Sequence, residues 1–149
     1  LRPLPTTSRG TLTYADGVNV QGRMTNRPWL PQRPADVKVA NVAWGLVNWI
    51  GVNSFNVTWK NRNRLTEDTV ILDWDDANVP VESGQTTSIL VLNPVSRAVV
   101  SRQDGLTGTS YSLPRSAFGT LSAGIVRVIA VRDGQDSVQG HEILVMATV

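Results

Sequence analysis

The sequence predicts an all-β fold, an antiparallel sandwich of about seven strands behind an extended N-terminal arm. Three observations carry this. First, in residues 53–60 the side chains Phe55, Val57 and Trp59 alternate with Asn56, Thr58 and Lys60. Side chains on a strand point to alternate faces, so this strand has one apolar and one polar side. Such half-buried strands must pack against a second sheet. Second, turn signals recur roughly every 8–12 residues and no window has helical periodicity, the spacing of sandwiches. Third, hydrophobic residues make up 41% and charged residues only 17% of 149 residues. Asn, Thr, Ser and Gly fill the gap, as is common in all-β chains.

In chain order, residues 1–34 hold five of the eight prolines, Pro3, Pro5, Pro28, Pro31 and Pro34. Proline removes a backbone donor and extends the residue before it, so this arm resists regular structure. A small hairpin is expected within it, from strands at 11–14 and 18–24 around the turn Ala15-Asp16-Gly17. Residues 27–34 read as an extended linker anchored by Trp29 and Leu30. The sandwich spans 35–149. Val37, Val39 and Val42 mark its first strand. Residues 43–52 are apolar without a clean period and read as a bulged continuation. It would place Trp44 and Trp49 over the core or on a partner surface. Residues 53–76 are expected to form a hairpin: the strand ending at Lys60, a turn over 61–68, and a strand in which Val70, Leu72 and Trp74 alternate with Ile71, Asp73 and Asp75. A loop at 76–85 precedes strands at 86–93 and 98–102, with a hairpin turn at Gln103-Asp104-Gly105. A strand at 109–113 around Tyr111 stops at Pro114. One helical turn around Phe118 falls in the loop 115–123. The β-branched run 124–132 turns at Asp133-Gly134 toward a last strand at 142–148. The expected core is Val37, Val39, Phe55, Val57, Trp59, Leu72, Ile89, Val91, Tyr111, Val126, Val128, Ile143 and Val145.

Composition narrows the function. Net charge is +2, but the arm to Pro34 carries Arg2, Arg9, Arg23, Arg27 and Arg33 against Asp16 alone, a local +4. Such an arm suits an acidic partner surface or docking on neighbouring protein. With no cysteine there is no disulfide, thiolate zinc site or thiol nucleophile. No apolar run approaches the ~20 residues of a membrane span. The chain starts at Leu1 without a signal pattern, so a piece of a longer protein is expected.

From Arg33 to Val149 the chain resembles a fibronectin type III domain, an immunoglobulin-like sandwich. The matching residues are the Pro34 lead-in, Val57-Thr58-Trp59, Gly105-Leu106, and the run from Val128 to Ser137, which is similar to the family's sixth strand and following turn. The resemblance implies that Trp59 sits in the core. It also implies a tyrosine where this chain has Gly124, so the tyrosine-corner hydrogen bond is not expected here. Several phrases are similar to fibronectin-type modules of tail-tip or baseplate proteins, of the host-specificity type, in tailed bacteriophages. They are residues 59–66 (WKNRNRLT), 105–111 (GLTGTSY), 130–134 (AVRDG) and the lead-in 30–34 (LPQRP). That resemblance implies a non-enzymatic structural module of the virion tail. Its partners would be other tail-tip chains and neighbouring domains, in a homo-oligomeric assembly near host attachment.

Few residues suggest chemistry. His141 is the sole histidine, no Gly-x-Ser-x-Gly elbow is present, and no glycine-rich phosphate loop opens a helix. Asp73, Asp75 and Asp76 raise the question of calcium, but no EF-hand spacing follows them. They are expected instead to pair across the hairpin with Lys60, Arg62 and Arg64, roughly 0.2–1 kcal/mol per pair. No metal or cofactor is expected. Nucleic acid is not an expected partner, because acidic residues flank the hairpin arginines and only Lys38 and Lys60 are lysines. The rival function is binding of a host-surface glycan or receptor. Its candidate contacts are Trp44, Trp49, Trp74, Arg62 and Arg64, with Trp59 and Tyr111 as core anchors.

Overall fold

The computed structural model describes residues 6–7, 10–11, 29–66 and 72–146. In the arm, β1 (Thr6–Thr7) pairs antiparallel with β2 (Gly10–Thr11). The expected hairpin strands at 12–14 and 18–24 lie outside the described residues.

Two facing sheets form an immunoglobulin-like sandwich. The smaller has the order β3 (Ala35–Val39), β5 (Ser54–Lys60), β8 (Ser110–Pro114). The larger runs β4 (Leu46–Asn48), β11 (His141–Met146), β9 (Ala123–Arg132), β6 (Thr86–Leu92), β7 (Val99–Leu106), with β10 (Gln135–Asp136) also paired to β9. Between them Val37, Val39, Phe55, Val57, Trp59 and Leu113 meet Val47, Ile89, Val91, Val126, Val128, Ile143 and Val145. Trp59 is buried as expected, and its indole N–H donates to Asn61 Oδ1 at 3.2 Å. This satisfies the one polar atom it brings into the core.

The expected hairpin over 53–76 is absent from the described residues. A strand has two edges, and β3 and β8 occupy both edges of β5. Residues 72–76 are instead turn and loop in the connection to β6, while Val70 and Ile71 lie outside the described residues. Leu72 is only partly buried. The segment 43–52 does not continue β3. It crosses to the other sheet, where β4 runs parallel to β11, Leu46 beside Leu144.

The Asp-Gly signal at 104–105 is a bulge, not a turn. Ile89 pairs with Gln103 and Thr87 with Leu106, so Asp104 and Gly105 together oppose Ser88. Gly105 supplies the left-handed φ of 73° that this irregularity needs. The strand therefore runs on to Leu106. At 133–134 the expectation holds: Asp133 and Gly134 have φ of 51° and 73°, and Arg132 pairs with Gln135. Both central residues left-handed is the two-residue turn whose twist suits a hairpin.

Tyr111 is half-buried at the core's margin, because Leu113 is the β8 side chain that enters it. Gly124, where the sequence resemblance implies a tyrosine, is filled from outside. A Cβ there would lie 2.8 Å from the ring of Phe118, which the 3-10 turn Arg115–Phe118 inserts fully buried into the core.

β6 is buried on both faces. On its outer face Leu90 lies in register between Arg102 and Arg127, and Arg127 beside Glu142. Arg97 donates to both oxygens of Glu142 at 2.6 and 2.7 Å. Arg102 binds Asp104 at 2.7 Å and Asp136 at 3.0 Å. Arginine stems can cover apolar surface while their heads stay in water, which suits the buried Leu90 and Ile129 beneath this row.

Candidate functional site

One side chain gathers the carbonyls of residues 73–77 in the connection between β5 and β6. Arg62, nearly buried, donates through Nη2 to the carbonyls of Asp73 (2.8 Å) and Trp74 (3.2 Å), and through Nη1 to those of Asn61 (3.0 Å) and Ala77 (3.2 Å). A planar fork of five donors suits a loop whose carbonyls converge, and no ammonium could span them. The expected pairing of cations with Asp73, Asp75 and Asp76 is thus replaced. Lys60 donates to the Asp75 carbonyl at 2.6 Å and pairs with Asp36. Arg64 pairs at 3.0 Å with the buried Glu82, which Arg132 also reaches at 2.8 Å. The Asp76 carboxylate accepts from the Asp73 amide at 2.6 Å, closing the turn. Lys38 first, then Lys60, holds the Asp36 carboxyl below the usual carboxylate range. No cluster of three potential metal-ligating side chains occurs among the described residues.

This clamp presents Trp74 at the surface. Its ring lies 5.6 Å from Trp44 and 5.3 Å from His141, and the Arg33 guanidinium sits over it at 5.2 Å. Trp44 meets His141 edge-on at 4.5 Å. His141 is buried, and its Nε2 donates to the Ala43 carbonyl at 2.8 Å. A carbonyl can only accept, so the neutral ring carries its proton on Nε2. Burial pushes the His141 pKa down, and the Arg33 charge acts in the same direction. An imidazole tied this way at the strand start positions Trp44 and Trp74.

Beside Trp74 opens a cleft of about 510 Å³. Leu30, Pro31, Gln32 and Arg33 of the lead-in form one wall, Leu72, Asp73 and Trp74 another, and Val138 and Gln139 of the β10–β11 connection close it. Arg62 also lines it, and the cleft's volume falls in the ~300–1,000 Å³ range of small-molecule sites.

Of the five expected contacts, the structure brings together Trp44, Trp74 and Arg62. Trp49 is elsewhere: it is 4% exposed, packed edge-on against Phe55 at 4.5 Å and Phe118 at 5.4 Å. Arg64 pairs with Glu82 and lies over Trp29 at 5.8 Å, away from the cleft walls. The sequence marks Arg33 only as part of the arm's positive charge and does not mark Gln32, because a proline-rich linker reads as a connection, not as a wall.

The strand order and two-sheet core define the class, an all-β immunoglobulin-like sandwich. A fibronectin type III-like protein from Clostridium thermocellum is similar in structure, with a TM-score of 0.42 and 16% identity. The match covers 78% of this chain and 92% of that one. No family model matches the chain, and no curated protein matches it.

Proposed function

We propose that the chain is a non-enzymatic structural module of a phage tail-tip or baseplate protein, located in the virion tail. It would pack between neighbouring domains and chains of a homo-oligomeric assembly. One observation carries the packing role: the lead-in is fastened to the sandwich it precedes. Pro31 and Pro34 are buried, Arg33 stacks on Trp74, and Trp29 meets Arg64. A module in a serial array transmits orientation only if its entry segment is fixed in this way. The resemblance of the phrases at 30–34, 59–66, 105–111 and 130–134 to tail-tip modules supports the placement. The engagement of His141 with a main-chain carbonyl supports a role without catalysis.

The test is immunogold electron microscopy with antibody to the chain, on tailed particles purified from cells that carry its gene. Label at the distal end of the tail is expected. Label on the capsid, or on no particle, would overturn the placement.

A second reading, contact with a host-surface saccharide or receptor, is favoured by the cleft beside Trp74.

A further inference from the structure

We infer that the cleft between the lead-in and the Trp74 loop binds a neutral saccharide, one or two pyranose rings. The inference rests on the second reading above and gives it a place and a chemistry. Two cleft-lining side chains each carry a polar atom that is closed to solvent and has no hydrogen-bond partner among the described residues: Gln32 Oε1, an acceptor, and Trp74 Nε1, a donor, each of which a small turn of its side chain would bring to a ligand. Leaving such groups unpaired is unfavourable, so each calls for a partner. A hydroxyl both donates and accepts, and a polyol therefore answers both needs with one functional group.

The remaining surface fits the same ligand. Leu30, Pro31 and Val138 offer apolar contact for the C–H face of a sugar ring. Asp73 and Gln139 add polar groups on the walls. The charges argue for neutrality. The Arg62 guanidinium is already engaged by loop carbonyls, and Arg33 lies over the Trp74 ring. An acidic sugar would bring its carboxylate toward Asp73. Two rings with some water fit a volume of about 510 Å³.

The experiment uses the full chain with its tryptophan indoles labelled by nitrogen-15. It is titrated with glucose, galactose, N-acetylglucosamine and their β-linked disaccharides at millimolar concentrations. The expected result is a saturable shift of the Trp74 indole N–H for at least one sugar, with Trp49 and Trp59 unmoved. Gln32→Met keeps the side-chain length but removes the acceptor, and should weaken that binding about fivefold, one hydrogen bond. Trp74→Phe should weaken it at least as much, with thermal melts confirming that both variants are folded. A shift confined to Trp44, with Gln32→Met neutral, would overturn this site while leaving saccharide binding at the surface intact. No shift at any indole would overturn both the site and the reading on which it rests.

Discussion

Among the described residues two three-ring aromatic clusters, each with an arginine over a tryptophan, have opposite character. In one, Trp49, Phe55 and Phe118 pack edge-on in the core, with Arg115 over Trp49 at 5.7 Å. In the other, the exposed Trp44 and the half-buried Trp74 rest on the buried His141, with Arg33 over Trp74 at 5.2 Å. Trp49 is 4% exposed and Trp44 65%, five residues apart in the chain. The difference lies in what is beneath them. β4 aims Trp49 between the sheets just after its pairing with β11, whereas Trp44 precedes β4 and rests on a histidine whose own ring is anchored to the backbone. A tryptophan in the sequence is a bid for contact area, and the topology decides whether other side chains or solvent answer it.

Substitutions should separate the two clusters. Phe118→Ala empties a site at full burial and should destabilise the fold by about 3–5 kcal/mol, measured by denaturant unfolding. A loss near zero would mean that this cluster is not core. Arg62→Lys keeps the charge but loses the fork, leaving the carbonyls of residues 73–77 short of donors. About 2–3 kcal/mol is expected, with the Trp74 indole resonance broadened while that of Trp49 stays sharp. If both indoles respond alike, the clusters are mechanically one. Gly124→Ala places a methyl group 2.8 Å from Phe118 and should cost about 1–3 kcal/mol. Most of that should be recovered in the double variant with Phe118→Leu; full additivity would show that the two residues do not touch. Trp44→Ala removes an exposed ring from its partners and should cost only about 0.5–1 kcal/mol.

The smallest effect concerns pH. The His141 pKa is lowered in the fold, so below the ordinary value near ~6.5 the unfolded chain takes up a proton that the folded chain resists. Stability is therefore full above about pH 6.5 and declines as pH falls toward the depressed folded value. Thermal melts between pH 7 and pH 5.5 should show this decline in the wild type and a flatter profile in His141→Gln, and equal slopes would refute it. Asp104, held low by Ser88 and then Arg102, acts in the same direction at more acidic pH.

Much of the fold was legible because strand alternation is local. Val37, Val39, Phe55, Val57 and Trp59 announce which face is buried, and the Asp133-Gly134 pair announces its turn. The misreadings were of partnership. Residues 70–75 have the look of a strand, but nothing local records that β5 has both edges taken. Asp104-Gly105 has the same letters as a hairpin turn, yet the pairing with Ser88 makes it a bulge. Among site residues, Trp44, Trp74 and Arg62 were visible as types and Arg33 as part of the arm's charge, while Gln32 and the cleft were not. They come from segments far apart in sequence, joined only because Arg62 gathers one loop and the lead-in docks along it.

The alternation of apolar side chains and the placement of turn residues were enough to dictate two sheets, a buried Trp59 and a proline-rich lead-in, since each follows from backbone geometry and the removal of apolar surface from water. Which sheet edge each strand joins, which tryptophans stay wet, and where a cleft remains were decided by long-range packing. Those outcomes depend on competition among segments for the same edge and the same buried volume, and no single segment encodes the result.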